Sequence, residues 1–575
     1  MTRRTPPLLA AGIVLGSLLL RPAPACAQET PPPAPEWWPS VEIGGRIDDR
    51  VRLDHLLGRA PAHGYLLRTA SSTLPAPGGG ARLTPVLPEL RLVRNSELPF
   101  SLNEGGMHAG RGSNLLLRGG VRIDAGPFSA SLVPVLISEA NEEFQTIVYG
   151  GPDPRHPDSS PWHWGVQSAD LPLRFGRQSR VRLGAGESRA SIRAAGVRVG
   201  ASTEAQWWGP GIRNALVMSD NAGGLPHLFA ATDGPWRSPL GAIEGRWIVG
   251  RLAESGFFRP GVRNDRSLAG IAATLQPAFE PGLTVGVSRV VYGPTGGPER
   301  AFDVFRDVGH PNVTLRDDPA PPAFEGRDQI LSLFGRWIFP ASGLELYGEW
   351  GRTDLPASVR DFLTDPQRSR GYTLGMQWAH PLEGGALVRA QTEVTVLDQT
   401  RRMGRQVASF YTSRAVPQGY THRGQVIGAA IGPGASSQWI AADYLRPEWR
   451  IGALAGRIRW ENDMLPLRGI QPSFHAHDVT VMAGLRGGGR IGPVDASAEV
   501  IFARRYNYLF QNQAISFEDL QQMDLANRTL RITLGPAGPR HAAAASPAVP
   551  PPPPLPAVEE DDPATPPPAS GPGLP

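Results

Sequence analysis

From about residue 95 to residue 535 the chain alternates apolar and polar residues with a period of two, in segments of about ten residues broken by turns rich in glycine, proline and aspartate. Successive side chains of a strand point to opposite faces, so each such segment is a strand with one apolar and one polar side. Ala386, Val388, Ala390, Thr392, Val394 and Val396 share one face, while Arg389, Gln391, Glu393 and Thr395 share the other. Leu331, Leu333, Gly335, Trp337 and Phe339 oppose Ser332 and Arg336. The short Pro340 to Gly343 link then returns the chain as Leu344, Leu346, Gly348 and Trp350 against Glu345, Tyr347 and Glu349, which reads as a hairpin. Val494, Ala496, Ala498, Val500 and Phe502 against Asp495, Ser497 and Glu499 repeat the pattern, as do Leu115, Leu117, Val121 and Ile123 against Arg118, Arg122 and Asp124.

A soluble sandwich also alternates, but it fills its core with large residues and turns its charges to water. Here the apolar faces are rich in Ala, Gly, Val and Leu and end in aromatics such as Trp350, Trp378, Trp460 and Phe502. That composition suits a barrel with a lipid-facing band, aromatic girdles and polar side chains turned into a wet lumen. Closure also removes the open strand edge that lipid cannot satisfy. The expected fold is therefore all-β, an outer-membrane antiparallel β-barrel of about 16 to 20 strands, with 18 favoured, and a small N-terminal plug or cap. No stretch after the N-terminus approaches the roughly 20 apolar residues that a membrane-crossing helix needs.

Residues 1–27 read as a signal peptide: Arg3 and Arg4 precede the apolar run Leu8 to Leu20, and Ala25-Cys26-Ala27 supplies small residues for cleavage before Gln28. Residues 28–94 are mixed and proline-rich, with a short helix expected around Arg46 to Leu57, and form the plug region. Residues 95–535 form the barrel. Residues 536–575, with Pro550 to Pro554 and an acidic run from Glu559 to Asp562, lack apolar periodicity and read as a disordered tail.

Glycine (68) and proline (60) exceed a fifth of the 575 residues, as expected of many short elements and turns. All 57 basic residues are arginine, and a net charge of +4 over this length implies no nucleic-acid partner. The one cysteine, Cys26, lies in the leader, which leaves neither a disulfide framework nor a cysteine-based metal site or nucleophile. His475-Ala476-His477-Asp478 completes no hydrolase motif and reads as a loop before the strand at Val479. Gly186-Glu187-Ser188-Arg189-Ala190 misses the nucleophile elbow by one residue and lies between strands. No nucleophile, acid and base set is recognisable, so the reading is a protein that is not an enzyme and takes no metal or cofactor.

The densest chemistry is Trp207-Trp208-Gly209-Pro210-Gly211 with Arg213, Asn214 and Asn221. An indole face can stack on the C–H face of a sugar, and Arg and Asn can donate to hydroxyls and acidic-sugar carboxylates. The competing reading places the tryptophans in the membrane-interface belt, with Gly-Pro-Gly as a turn. His422 and Arg423 bring a basic group to the lumen or its rim, where arginines attract an anionic polymer. The alternative there is an arginine paired with an inward carboxylate such as Glu345, Glu349, Glu393 or Glu499.

Three blocks resemble the capsule-assembly Wzi family. Asn95 to Phe144 resembles the loop leading into that family's first barrel hairpin. Gln206 to Asn214, followed by Ser219-Asp220-Asn221-Ala222 and Gly224-Leu225-Pro226, resembles its WWGPG and S-x-N-A-x-x-x-P signature. Tyr420 to Gly428 resembles its RG-x-VIG stretch. Two departures stand out: the tail after Leu534 removes a C-terminal aromatic insertion signal, and Gly428 is followed by Ala429-Ala430 without His-Pro. The resemblance implies an outer-membrane barrel with a lectin-like role, binding capsular or exopolysaccharide and supporting capsule assembly or attachment. Its other partners would be outer-membrane lipid and the barrel-assembly machinery. A porin or substrate-specific channel is the alternative.

Overall fold

The computed structural model describes residues 37–61, 64–73, 80–146, 162, 168–258, 265–305, 326–353, 359–399, 409–464, 476–510 and 524–537. The expected signal peptide and the proline-rich tail beyond residue 537 lie outside the described residues. The strands close into an antiparallel barrel of 18 staves. These are β1 (Arg82–Asn95), β2 (Gly112–Ala125), β3 (Phe128–Leu132 and Val135–Glu139), β4 (Arg180–Gly184 and Arg189–Ala194), β5 (Val197–Ser202) and β6 (His227–Thr232, resumed at Trp236–Ser238). They continue as β7 (Gly241–Leu252), β8 (Arg266–Pro277), β9 (Leu283–Pro294), β10 (Asp328–Phe339), β11 (Leu344–Arg352) and β12 (Arg370–Pro381). The last six are β13 (Leu387–Val396), β14 (Ser436–Leu445), β15 (Trp449–Arg459), β16 (Val479–Ile491), β17 (Val494–Tyr506) and β18 (Leu525–Pro536). Pairing of β18 with β1, from Thr529 opposite Asn95 to Leu534 opposite Leu90, shuts the barrel and leaves no free edge.

The first stave lies within the stretch expected to be plug. Pro85 and Pro88 hide it in the sequence, since proline donates no ladder hydrogen bond, and the register shifts between Val86 and Glu89 around them. The Asn95–Phe144 block accordingly runs from the end of β1 through the loop that leads into the β2–β3 hairpin, so one stave already precedes it. Stave β4 breaks at the Gly186–Ala190 stretch: Gly186 has φ +58°, and a Cβ there would fall 2.3 Å from the Val133 carbonyl oxygen, so the chain bulges at a glycine.

Alternation places the faces as expected. Arg336, Glu345, Glu349, Arg389, Gln391 and Glu393 are buried in the interior, while Leu333, Trp337, Leu346, Leu374, Trp378 and Phe502 are exposed on the outside. Inward arginines and carboxylates pair along the inner wall, Arg336 with Glu345 at 3.0 Å and Arg389 with Asp443 at 2.9 Å. Trp460 departs from the girdle role: it packs against the interior cluster and donates its indole N–H to Thr480 Oγ1 at 2.8 Å.

Short turns gather at one end, at 126–127, 195–196, 340–343, 382–386 and 492–493, and long loops at the other. Helix α1 (Arg46–Leu56) packs inside the short-turn end. Its buried residues Asp48, Arg52, His55 and Leu56 recur at helical spacing, and Leu53 and Leu56 pack on Ala379 and Leu387. Asp49 pairs with Arg389 at 2.7 Å and Arg450 at 3.0 Å, Arg52 with Glu345 and Arg46 with Asp495. From the other end two long loops, residues 203–226 and 409–435, fold into the lumen. They meet inward residues Phe229, Ile248, Leu268, Ala272, Val290 and Ile330 in one apolar cluster. The expectation of a wet lumen is corrected here: toward the long-loop end of β6 to β10 the inward face is apolar because it packs against a plug, while Ser332 and Arg336 further along β10 remain polar.

Candidate functional site

The plug is built from the two tightest sequence blocks. Gln206–Trp208 pairs antiparallel with Leu67–Thr69, which ties the N-terminal segment to the 203–226 loop inside the barrel. The chain then turns through Gly209, whose φ is +108° and where a Cβ would sit 3.1 Å from Glu349 Oε2. Past that turn the backbone grips two inward carboxylates. Glu393 accepts from the amides of Ile212 at 2.6 Å, Arg213 at 3.1 Å and Asn214 at 2.8 Å, and from the Tyr347 hydroxyl at 2.9 Å. Glu349 accepts from the Leu216 amide at 2.9 Å and the Ser332 hydroxyl at 2.6 Å. A carboxylate offers about four lone-pair positions, so Glu393 is saturated by its four donors.

The two blocks then interlock. Ser219 donates through its amide to Ile427 O at 2.9 Å and through its hydroxyl to Gly428 O at 2.6 Å. Asn221 Nδ2 donates to Val426 O at 2.9 Å, and Gln425 Nε2 returns a bond to Asn221 O at 2.8 Å. The hydroxyls of Tyr411 and Tyr420 reach Leu216 O and Val217 O at 2.8 and 2.9 Å. Thr421–His422 and Gln425–Val426 form a small hairpin, which Arg266 on β8 holds through Gly419 O at 2.8 Å and Thr421 O at 2.9 Å.

The seven sequence candidates therefore divide. Trp207 and Trp208 are 1% and 0% exposed. Trp207 packs with Ile43, Ala205 and Ala215, and Trp208 lies in the large lumenal cluster. They line neither a lipid interface nor an open sugar platform, because Trp207 is enclosed by Ile43, Ala205, Ala215 and the Arg68 guanidinium and Trp208 by the lumenal cluster. Asn214 donates to Thr395 Oγ1 at 3.2 Å, and Asn221 joins the loops. Arg213 is half-buried within the lumen, its guanidinium over the Trp439 ring at 5.4 Å. Burial, then the neighbouring Arg531 and Arg486, lower its pKa against the pull of Glu499. His422 is buried and accepts at Nδ1 from the Ala253 amide at 3.1 Å. Burial, then Arg423 and Arg266, push its imidazole down to about 3.

Arg423 alone of the seven is exposed, at the hairpin tip with φ +52°, and it makes no ion pair among the described residues. The tip rests on Phe175: a Cβ at Gly424 would lie 2.8 Å from that ring. Phe175 contacts His108 at 4.7 Å and Phe257 at 5.9 Å between ring centres, and the Arg180 guanidinium lies 4.2 Å from its centroid. Arg180 and Arg182 share a single carboxylate, Glu139. Burial lowers the pKa of Arg423, and the charge of Arg182 lowers it further. Around the hairpin tip the rim thus brings Arg423, Arg180 and Arg182, with the Glu139 carboxylate between the last two, beside a cluster of aromatic rings. Sequence reading missed Arg180, Arg182, Phe175 and Phe257, which lie far from Arg423 along the chain and within no motif.

Glu345, Glu349, Glu393 and Glu499 do not pair with Arg423. Glu345 binds Arg336 and Arg52, Glu499 binds Arg531, and the other two hold backbone amides. Among the described residues no group of three or more His, Cys, Asp or Glu is placed to hold a metal ion.

The model of the capsule assembly protein Wzi family matches residues 92–453. No curated protein matches the chain. Similar solved structures include Wzi of Escherichia coli, described as an outer-membrane protein involved in group 1 capsule assembly and a carbohydrate-binding β-barrel. It shares 13% identity, with 78% of this chain and 83% of that one covered and a TM-score of 0.49. OccK5 (OpdH) of Pseudomonas aeruginosa shares 8% identity, with 80% and 100% covered and a TM-score of 0.35. OprD of the same species shares 8% identity, with 78% and 94% covered and a TM-score of 0.36. The family match takes in more than half of the chain, both interlocking plug blocks included: the protein belongs to the Wzi family of capsule assembly proteins and is an outer-membrane β-barrel.

Proposed function

We propose that this barrel holds capsular or related anionic surface polysaccharide at its extracellular rim, without catalysis. Family membership points to capsule assembly, and the observation that carries the binding mode is the rim patch of Arg423, Arg180 and Arg182 beside Phe175 and Phe257. Short turns face the periplasm in barrels of this kind, so the long-loop end and its arginines face outward. An acidic polymer meets the same rim through several residues of one chain at once, and weak contacts add as avidity. Arg423 is the direct contact in this reading. Trp207, Trp208, Asn214, Asn221 and His422 serve by holding the plug that presents it, and Arg213 stays within the lumen. Outer-membrane lipid and the barrel-assembly machinery are the remaining partners.

Gene deletion in the source bacterium, with polymer measured separately on cells and in the medium, tests the role. Polymer still made but shed supports it. An unchanged surface layer with reduced solute uptake would replace it with a channel. Purified barrel that retains no polymer on a column of the organism's own polysaccharide would refute the binding step.

A further inference from the structure

The loop after β9 does something unusual for an extracellular loop: its first turn-like segment, Pro298–Phe305, lies on the outside of the barrel. Strand register fixes the face. Ile248, Gly270, Val290 and Ile330 stand opposite one another and point inward, where Ile248, Val290 and Ile330 join the plug cluster. Their neighbours Trp247, Ile271, Arg289 and Leu331 form the next row and must point outward. Against that outer row pack Val304, beside Ala269 and Val291, and Ala301, whose carbonyl accepts from the Trp247 indole N–H at 3.1 Å. Phe302 and Phe305 lie 5.5 and 6.2 Å from the Trp247 ring.

The row so covered contains an arginine on a lipid-facing wall. A charged side chain there costs about 2–4 kcal/mol at the bilayer midplane and less toward the interface. Arg289 is 4% exposed, and its guanidinium donates to Val304 O at 2.7 Å and to Gln329 Oε1 at 2.7 and 3.0 Å. Asp303 turns to the wall as well and binds Arg327 at 2.8 Å. Asp303 thus faces the barrel, Glu299 is exposed at the start of the segment, and Phe302 and Phe305 face away from the wall and are 52% and 53% exposed. One outward row toward the periplasm lie Ala273, Val287 and Leu333, with Val287 and Leu333 exposed in the apolar band that faces lipid. The two phenylalanines continue that band upward over a spot that would otherwise be polar.

We propose that residues 298–305 are an exterior strap immersed in the outer leaflet, with Phe302 and Phe305 in contact with lipid acyl chains and Arg289 shielded beneath it. The occupant follows from continuity with the lipid-facing wall. Apolar side chains half open on that wall have acyl chains as their neighbours.

With Cys26→Ser, a thiol introduced at 302 or 305 is the sole one in the chain. Nitroxide labels on Phe302→Cys and Phe305→Cys, in protein reconstituted into phosphatidylcholine vesicles, are compared with labels on Leu333→Cys in the apolar band and Glu448→Cys in a periplasmic turn. Collisions with oxygen exceeding those with a water-soluble nickel chelate, as at 333, are the expected result. A ratio like that at 448 overturns the proposal in favour of water. Protection from both quenchers overturns it in favour of a protein cover such as a second copy. Independently of any variant, a phosphatidylcholine photoactivatable at the acyl terminus should label the tryptic peptide from Ala301 to Arg306, and absence of that adduct beside labelled wall peptides counts against the strap.

Discussion

Replacing Glu393 with alanine should release the plug from the barrel while leaving the barrel closed. Four donors converge on this carboxylate: the amides of Ile212, Arg213 and Asn214 at 2.6, 3.1 and 2.8 Å, and the Tyr347 hydroxyl at 2.9 Å. Each buried donor stranded by the substitution costs about 1–3 kcal/mol, and neighbouring losses overlap, so the loop loses on the order of 3–6 kcal/mol of attachment. Rotation of the Tyr347 phenol toward another acceptor recovers part of this, whereas the three amides are fixed by the turn after Gly209. Glutamine is the sharper variant, because it keeps the volume but sets an NH2 against donors. The ladder itself is untouched, since β13 keeps its backbone pairing with β12 and β14. Hydrogen exchange resolved to peptides should show protection lost over residues 209–226 and retained over 387–396, and planar-bilayer conductance should rise above that of the parent barrel. Glu499, which pairs with Arg531, supplies the comparison: Glu499→Gln should leave residues 209–226 protected. Unchanged protection and conductance in both Glu393 variants would refute the assignment of this carboxylate as the anchor.

Three further outcomes follow from the same geometry. Trp208→Ala removes a fully buried indole from the lumenal cluster and should cost about 3–5 kcal/mol, seen as a lower unfolding temperature and faster proteolysis of the 203–226 loop. Arg423→Asn, with a residue that tolerates the left-handed backbone at that tip, should weaken polymer retention most strongly at low salt while stability changes by no more than about 0.5 kcal/mol; Arg423→Lys should restore much of the retention. The His422 imidazole is held at about 3 against an ordinary 6.5, so its contribution is fully present above the ordinary value and is lost as pH falls toward the folded one. Protonation turns Nδ1 from acceptor to donor, so protection of the Ala253 amide should fall across that window and stay level in His422→Asn.

Period two is legible where one face meets lipid and the other meets a polar interior, as on β11 and β13. It fades at Val290-Val291 and Ile330-Leu331, where both faces are covered by apolar partners, the plug inside and the strap or lipid outside. Such doubled apolar pairs were the available sign that the lumen is filled. Helix α1 was visible from its spacing, but β1 was not, because Pro85 and Pro88 interrupt its alternation. The WWGPG block announces dense chemistry and leaves its use open. An indole stacks on sugar, sits at an interface or fills a core according to what covers it, and Trp208 is buried in a lumenal cluster whose members, from Phe100 to Ile501, are spread along most of the chain.

The two ends of the barrel are sealed by different chemistry, and this decides what a ligand at the rim can move. At the periplasmic end α1 is held by ion pairs, Asp49 to Arg389 and Arg450, Arg52 to Glu345 and Arg46 to Asp495. The extracellular plug depends on apolar packing and on backbone amides directed at carboxylates. Salt screens chiefly the partly exposed Arg46–Asp495 pair, because Arg52–Glu345 and Arg389–Asp49 are largely buried, so rising ionic strength loosens the start of α1 and leaves the rest of both seals in place. A polymer bound at Arg423 pulls on the 421–426 hairpin, which joins the 203–226 loop through Ser219, Asn221 and Gln425. That loop reaches α1 through the bond from Arg52 to Pro210 O at 2.7 Å, besides its strand pairing with residues 67–69. Arg266 on β8 holds the hairpin itself, and Glu349 and Glu393 fix the intervening turn to the wall, so force applied at the rim ends on side chains of the barrel. A rim ligand is thereby held by the barrel frame, which is the mechanical requirement for an anchor and the opposite of what a ligand-opened gate would need.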